Sequence, residues 1–296
     1  GQTVAKATPL LFTGASVALA LRAGLVNIGA EGQLAVGVLT AAVVGAHMPA
    51  GPPMLFVPVI ALACALSGAA LGGLAGWLRG RFGTHEVIST LMLNGLVAVA
   101  TTYLYGGPLR VGVQLHTAPL PPSARLPSAA SFFPSLQGST VGATLLLALA
   151  VPFFCERFLT RTGPGAHLRA LGSNAQATRA LGISVPRTTT LAMALSGALA
   201  ALGGLHYVCG AKGYAEAGMG AGAGFTGLAV AVLGRGRPLG IVLAALLLGA
   251  LGQGGLAVNA LVPADALLVL QSALLVLVAA EALRKPPEPR VTAEAP

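Results

Sequence analysis

Apolar runs of helical length, separated by short polar or glycine-rich breaks, fill the chain from Thr8 to Ala282. The first run, Thr8 to Leu21, is opened by Pro9 and closed by Arg22. It is short for a membrane span, which takes roughly 20 residues. A glycine-broken stretch comes next, Ala23 to Gln33 (AGLVNIGAEGQ), with Asn27, Glu31 and Gln33 between two apolar runs. The second run is Leu34 to Met48, and Pro49 to Pro53 is a turn. The third, Met54 to Leu78, ends at Arg79 and Arg81. Its Gly68, Gly72 and Gly76, with Gly80 just beyond, recur every fourth residue. That spacing lays a bare stripe along one helix face, where another backbone can approach closely. The fourth run, Glu86 to Tyr105, carries Asn94 two turns in. Gly106 to Gly138, with Pro108, Pro119, Pro121, Pro122, Pro127 and Pro134, reads as a long loop holding a short interfacial helix.

The pattern then repeats. A fifth run spans Ser139 to Phe154, a sixth Thr188 to Val208, an eighth Leu239 to Val258 and a ninth Ala266 to Ala282. The seventh, Phe225 to Leu233, is too short to cross without help from the glycine-rich linker Gly210 to Gly224. These runs predict an all-α, polytopic transmembrane helical bundle of about nine spans, or ten with one further N-terminal helix. Residues 1–285 form one transmembrane domain, and 286–296 read as a disordered polar tail. A weak repeat is visible: Ala65 to Leu74 is ALSGAALGGL, and Ala194 to Leu205 is ALSGALAALGGL. If the spans alternate in direction, the two copies run opposite ways, as in inverted-repeat transporters.

Composition makes the membrane reading firm. The chain is 55% hydrophobic and 8% charged, with a mean hydropathy of +0.82, against about 25% charged in soluble domains. The net charge of +9 does not point to nucleic acid, because the basic residues sit at segment ends rather than in one soluble patch. Alternating the spans, with the stretch 156–187 inside, places thirteen lysines and arginines in the cytoplasm and four outside. The proline-rich loop 106–138 is then extracytoplasmic. No secretory signal pattern opens the chain. Cys64, Cys155 and Cys209 lie in separate apolar segments and read as small core residues.

The stretch 156–187 is the longest that water could solvate in the middle of the chain. It holds Arg157, Arg161, Arg169, Arg179 and Arg187 against one acid, Glu156. Within it a short helix is marked at both ends. Ser173 or Asn174 can cap its start, and Gly182 can end it in a left-handed conformation. Ala175, Ala177, Ala180 and Leu181 leave a thin surface that another protein could grip. A plain solvated connector is the competing reading.

Motifs for chemistry are missing. There is no phosphate-binding G-x-x-x-x-G-K-[ST] loop, and Gly218 to Gly224 (GMGAGAG) lacks the dinucleotide-binding register. The histidines are scattered with no metal-type spacing, so no cofactor, metal site or enzyme activity is expected. Polar residues inside the membrane are costly and commonly functional, which makes Asn27, Glu31, Gln33, Glu86 and Asn94 candidates for a substrate pathway. For Glu86, and for Asp265 in the last run, a helix-terminal role competes. A stand-alone transporter driven by protons or sodium is the alternative. It would want acids deep in several helices, whereas most acids here lie near segment ends.

Several blocks resemble one family. TPLLFTGASVALALRAGLVNIGAEGQ (Thr8 to Gln33) and GTHEVISTLMLN (Gly83 to Asn94) look like signatures of permease subunits of bacterial ABC importers for nucleosides and simple sugars. LSGALAALGGL and GFTGLAVAVLGRGRPLG (Gly224 to Gly240) match two later blocks. RALGSNAQATRALGI (Arg169 to Ile183) resembles that family's cytoplasmic coupling loop, which implies a coupling role for Gly172, Asn174, Ala175, Ala177, Thr178, Leu181 and Gly182. The resemblance covers nearly the whole chain in order. The family normally has a further N-terminal helix, absent here, and the proline-rich loop has no strong counterpart. The resemblance implies a bacterial inner-membrane subunit paired with a second permease subunit, identical or related. It also implies two cytoplasmic ATPase subunits and a substrate-binding lipoprotein on the outer face.

Overall fold

A computed structural model describes residues 1–49, 51–113, 115–128, 141–258 and 273. The described part is a helical bundle. Its helices are α1 (Gln2–Arg22), α2 (Ala30–Ala46), α3 (Pro53–Phe82), α4 (Glu86–Gly106), α5 (Thr144–Arg161), α6 (Gly163–Ser173), α7 (Ala175–Ala180), α8 (Val185–Leu202), α9 (Ala223–Leu233) and α10 (Pro238–Val258). A π-helical turn, His206–Lys212, continues α8, and a 3₁₀ turn, Pro122–Ala124, lies in the proline-rich loop. Five elements are long and apolar enough to cross a membrane: α1, α3, α4, α8 with its π-helical turn, and α10. The shorter apolar helices are α2 and α9. Apart from residue 273, the expected ninth run, 266–282, and the tail lie outside the described residues.

α1 is the buried axis. Its residues from Thr8 to Ala20 are all buried, and its core partners come from α5, α8, α9 and α10. Close approach is licensed by small residues. Gly14 lies against Val230, Gly227 against Thr13, and Gly249 against the backbone of Thr3 and Ala7. In lipid, where no hydrophobic force drives helices together, such contacts supply the dispersion energy that does. α1 begins six residues before the expected Thr8, so it is long enough to span. The early charge that hid this, Lys6, is satisfied by donating to the Gly252 carbonyl at 3.0 Å.

The glycine stripe of α3 lies against α8. Gly68 meets Gly197 and Ala201, Gly72 meets Met193, Gly76 meets Thr190 and Met193, and Gly80 meets Pro186. Residue numbers rise on one helix as they fall on the other, so the pair is antiparallel along more than three helical turns. The contact joins the two repeat copies at equivalent positions, Gly68 and Gly197, each facing the other's carbonyl oxygen. The opposite faces of α3 and α4 expose Met54, Leu55, Leu62, Leu66, Met92, Leu96 and Val99, an apolar exterior suited to lipid.

Most of the arginines gather at one end of the bundle. Arg22 donates to both carboxylate oxygens of Glu156 at 3.0 and 2.8 Å. Glu156 in turn shares a surface pocket with Arg235 and Arg237, and Gly80, one residue after Arg79, packs on Pro186. At the opposite end the proline-rich loop is stitched to the segment after α8. Thr117 N donates to Ala215 O at 2.9 Å, Leu120 N to Gly213 O at 2.7 Å and Leu126 N to Cys209 O at 2.8 Å. A second core cluster sits there, built from α2, α3, the π-helical turn and Leu120 and Ala124 of the loop.

Most residues of the stretch 156–187 are exposed, but the stretch is helical over most of its length rather than a plain loop. α5 runs on to Arg161, seven residues past the expected Phe154, and α6 and α7 fill most of the chain between α5 and α8. α6 buries Leu168 and Leu171 against the bundle while Arg169 faces out, so an amphipathic helix was hidden by the arginine count.

Candidate functional site

The glycine-broken stretch before α2 is shorter than expected. The helix starts at Ala30, so Glu31 and Gln33 lie in its first turn rather than in the break. Asn27 is in the break, with Asn27 and Gln33 buried side by side. Asn27 Nδ2 donates to Gln33 Oε1 at 2.8 Å and to Ser196 Oγ at 2.7 Å. Ser196 and Ser16 exchange further bonds between hydroxyl and backbone carbonyl at 2.6 and 2.7 Å. All four residues are at most 1% exposed. This network ties α1, α2 and α8 together, and a fully paired polar group avoids the cost that lipid-depth burial otherwise imposes.

Glu31 and Asn94 do a different job. α2 and α9 both begin inside the bundle, and their first N–H groups have no carbonyl to pair with. Asn94, on α4, supplies the partner for α2. Its Oδ1 accepts from Gly32 N at 2.9 Å, and its Nδ2 donates to Ile28 O at 2.9 Å. Glu31 supplies the partner for α9, 191 residues away. Its carboxylate accepts from Gly222 N at 2.6 Å, Gly224 N at 2.8 Å and Phe225 N at 3.3 Å. Each interrupted helix is thus capped by a side chain from another element, and the carboxylate lies at the positive end of the α9 dipole. Gly222, at φ +83°, supplies the left-handed turn into α9.

Two cavities meet this arrangement. One, of ≈ 210 Å³, is lined by Glu31, Gly32, Asn94, Thr101, Thr102 and Tyr105 with the segment Glu216 to Ala221. The other, of ≈ 880 Å³, is lined by Lys6, His206, Tyr207, Lys212, Thr226 and Gly252 among others. Glu216, Gly218, Met219, Gly220 and Ala221 line both, so one glycine-rich wall separates them. Gly218 and Gly220 have φ of +78° and +80°, conformations other residues adopt only with strain. The GMGAGAG run, without a nucleotide-binding register, is that wall.

The remaining sequence candidates fall elsewhere. Glu86 lies at the arginine-rich end, 3% exposed, beside neither cavity. It pairs with Arg79 and accepts from Val26 N at 3.2 Å, which anchors the break before α2. His85, not Glu86, caps α4, its Nδ1 accepting from Val87 N at 3.4 Å. In the arginine-rich segment, Asn174 caps α7, its Oδ1 accepting from Gln176 N at 2.8 Å and Ala177 N at 3.0 Å. Ser173 instead donates to Arg169 O at 3.0 Å. α7 ends in a Schellman pair: Ile183 N to Thr178 O at 3.2 Å and Gly182 N to Arg179 O at 3.0 Å, with Gly182 at φ +76°. Ala175, Ala177 and Leu181 are exposed, but Thr178 is buried and so is not part of that outer surface. Gly172 packs its backbone on Arg22 and Ala23, with Gly24 opposite. The end of α6 therefore sits directly on the break that leads to Glu31. Sequence reasoning missed Thr101 and Tyr105, whose signal was their i, i+7 and i, i+11 spacing from Asn94 on one face of α4.

Comparison with known proteins places the chain. The family described as branched-chain amino acid transport system / permease component matches residues 2–279. A guanosine ABC transporter permease of Bacillus subtilis is 36% identical over 258 residues, 86% of this chain and 73% of that protein. A glucose ABC transporter permease of Haloferax volcanii is 34% identical over 269 residues, covering 87% and 69%. A nucleoside ABC transporter permease of Lactococcus lactis is 32% identical over 261 residues, covering 86% and 71%. No solved structure matches the chain. With nearly its whole length matched and its described residues forming a bundle of apolar helices, the chain belongs to this family of ABC transporter permeases and is a multi-pass membrane protein.

Proposed function

We propose that the chain is the permease subunit of an ATP-driven importer that carries nucleosides, or a related simple sugar, across the bacterial inner membrane. The observation that carries the reading is the similarity to guanosine and nucleoside permeases over most of both chains. The substrates named for two of these relatives, guanosine and glucose, share neighbouring hydroxyls. A cavity with amide, hydroxyl and carboxylate groups on an otherwise apolar wall suits such a molecule. In this reading Glu31 and Asn94 shape the pathway by capping its interrupted helices. Asn27, Gln33 and Glu86 hold the surrounding frame.

Residues 1–285 act as one transmembrane domain of about nine spans, with the arginine-rich end in the cytoplasm. ATP is hydrolysed by separate subunits that grip α7. A second permease subunit completes the pathway, and a binding lipoprotein delivers substrate from outside. Closing the ATPases pulls on α7, and the contact of Gly172 with Arg22 to Gly24 passes the movement to the break before α2. Uptake of labelled guanosine, competed by a panel of nucleosides and hexoses, tests the substrate. Competition by nucleosides is expected, and a transporter blocked by neither class would overturn the reading.

The α7 surface gives a second expected result. Ala177→Asp adds a charge on the exposed face and changes only the side chain, so the backbone N–H of residue 177 keeps its bond to the Asn174 cap. ATP-driven uptake should fall about tenfold or more, a loss of only ~1.4 kcal/mol in coupling, while the amount of chain in the membrane is unchanged. Normal uptake and normal co-purification of the ATPase with this variant would remove α7 from the coupling role.

A further inference from the structure

The polar groups of the smaller cavity are mostly occupied. Both carboxylate oxygens of Glu31 accept from the start of α9, and both ends of the Asn94 amide are used at the start of α2. Glu216 is paired with Lys212. The hydroxyls of Thr101 and Thr102 donate to the carbonyls of Val97 and Ala98, each at 2.8 Å, which leaves them free only to accept. Tyr105 differs. It is 4% exposed and lines the cavity, yet its hydroxyl has no hydrogen-bond partner among the described residues. Its ring belongs to the cluster that includes Val38, Ala41, Ala42 and Ile60. Among the described residues, the buried polar side-chain atoms without a hydrogen-bond partner, Glu86 Oε2 and Ser123 Oγ, do not include the Tyr105 oxygen. That oxygen is therefore open to the cavity, and a bound molecule can supply the partner a tyrosine hydroxyl ordinarily finds.

We infer that Tyr105 is a substrate-specificity residue, and that with Thr101 it forms a subsite for adjacent sugar hydroxyls. The inference rests on the function proposed above. The two residues lie one helical turn apart on the face of α4 that also carries Asn94. The phenol offers a donor and the threonine oxygen an acceptor. A vicinal diol answers both, because each of its hydroxyls can donate and accept. The remaining wall, Val97 and Ala98, is apolar and gives the sugar ring a surface to slide along. A site built to pair with hydroxyls rejects an analogue that lacks them, because its own polar groups are then left unpaired.

The test is uptake by the complete complex in proteoliposomes, with guanosine and 2′,3′-dideoxyguanosine as the probes. The wild type should prefer guanosine. Tyr105→Phe should lower kcat/KM for guanosine by about threefold to tenfold, the range for one hydrogen bond, and leave the dideoxy compound unchanged. Tyr103→Phe removes a hydroxyl from a residue 71% exposed on the same helix and should change neither. An unaltered preference in Tyr105→Phe, or an equal loss of both compounds, would overturn the subsite. Failure of the wild type to transport either compound would overturn the nucleoside reading itself, and the subsite with it.

Discussion

Gly68→Leu should prevent the bundle from assembling. A Cβ at this position runs into the Gly197 carbonyl oxygen and the Ala201 methyl carbon. Neither is the far end of a flexible side chain, so α3 and α8 must move apart. Overpacking a core costs about 1–3 kcal/mol where side chains can shift. Here two backbones are in contact at Gly68, Gly72, Gly76 and Gly80, and separation forfeits the dispersion energy of the whole seam. The loss should therefore exceed the upper end of that range. Thermal unfolding of the detergent-purified chain reads the effect, with Gly95→Ala as the contrast. Nothing lies within 4 Å of a Cβ at Gly95, and alanine in place of glycine within a helix should stabilise by up to about 1 kcal/mol. A Gly68→Leu protein with an unchanged melting temperature would contradict the close seam.

The second large effect belongs to Glu31. Glu31→Ala strips the acceptor from Gly222, Gly224 and Phe225 at the start of α9. A hydrogen bond to a charged group is worth about 1.5–3 kcal/mol, and of the three donors the one on buried Gly224, left alone, costs a further 1–3. The α9 start and the wall from Glu216 to Ala221 should lose their fixed position, and uptake should drop about a hundredfold. Glu31→Gln should recover little, because its amide keeps one accepting oxygen but loses the charge and turns an NH2 toward a backbone donor. Glu31→Asp keeps the charge on a shorter arm and should recover part. The effect should fall on transport rather than on membrane insertion, since α9 is one short helix among many. Full uptake by Glu31→Ala would remove the capping role.

How far the sequence carried this picture depended on what kind of interaction was at stake. Apolar runs are local signals, so α3, α4, α8 and α10 were legible to within a few residues. So were the four-residue glycine spacing and the caps of α7, which are made by neighbours in the chain. The start of α2 was not legible, because Glu31 reads as a break in a helix until its partners, 191 residues later, are beside it. The same holds for Asn94, whose partners are the backbone of Ile28 and Gly32. Asn27, Glu31 and Gln33 formed one cluster in the sequence but divide in space. Asn27 and Gln33 turn into a buried network with Ser196, while Glu31 meets the cavity. Thr178 was grouped with Ala177 by the resemblance of the whole segment to a coupling loop, yet helical geometry buries it. Tyr105 looked like the ordinary aromatic end of a span, and only its missing partner sets it apart.

The central claim is that transport is driven by ATP through partner subunits rather than by an ion gradient through this chain alone. Proteoliposomes holding the permease, its ATPase subunits and the binding protein test it most directly, with labelled guanosine outside and ATP supplied to the ATPase face. The account predicts accumulation that requires ATP and all three components, and that is insensitive to collapsing proton and sodium gradients. Accumulation by the permease alone, driven by an imposed proton or sodium gradient and indifferent to ATP, would contradict it.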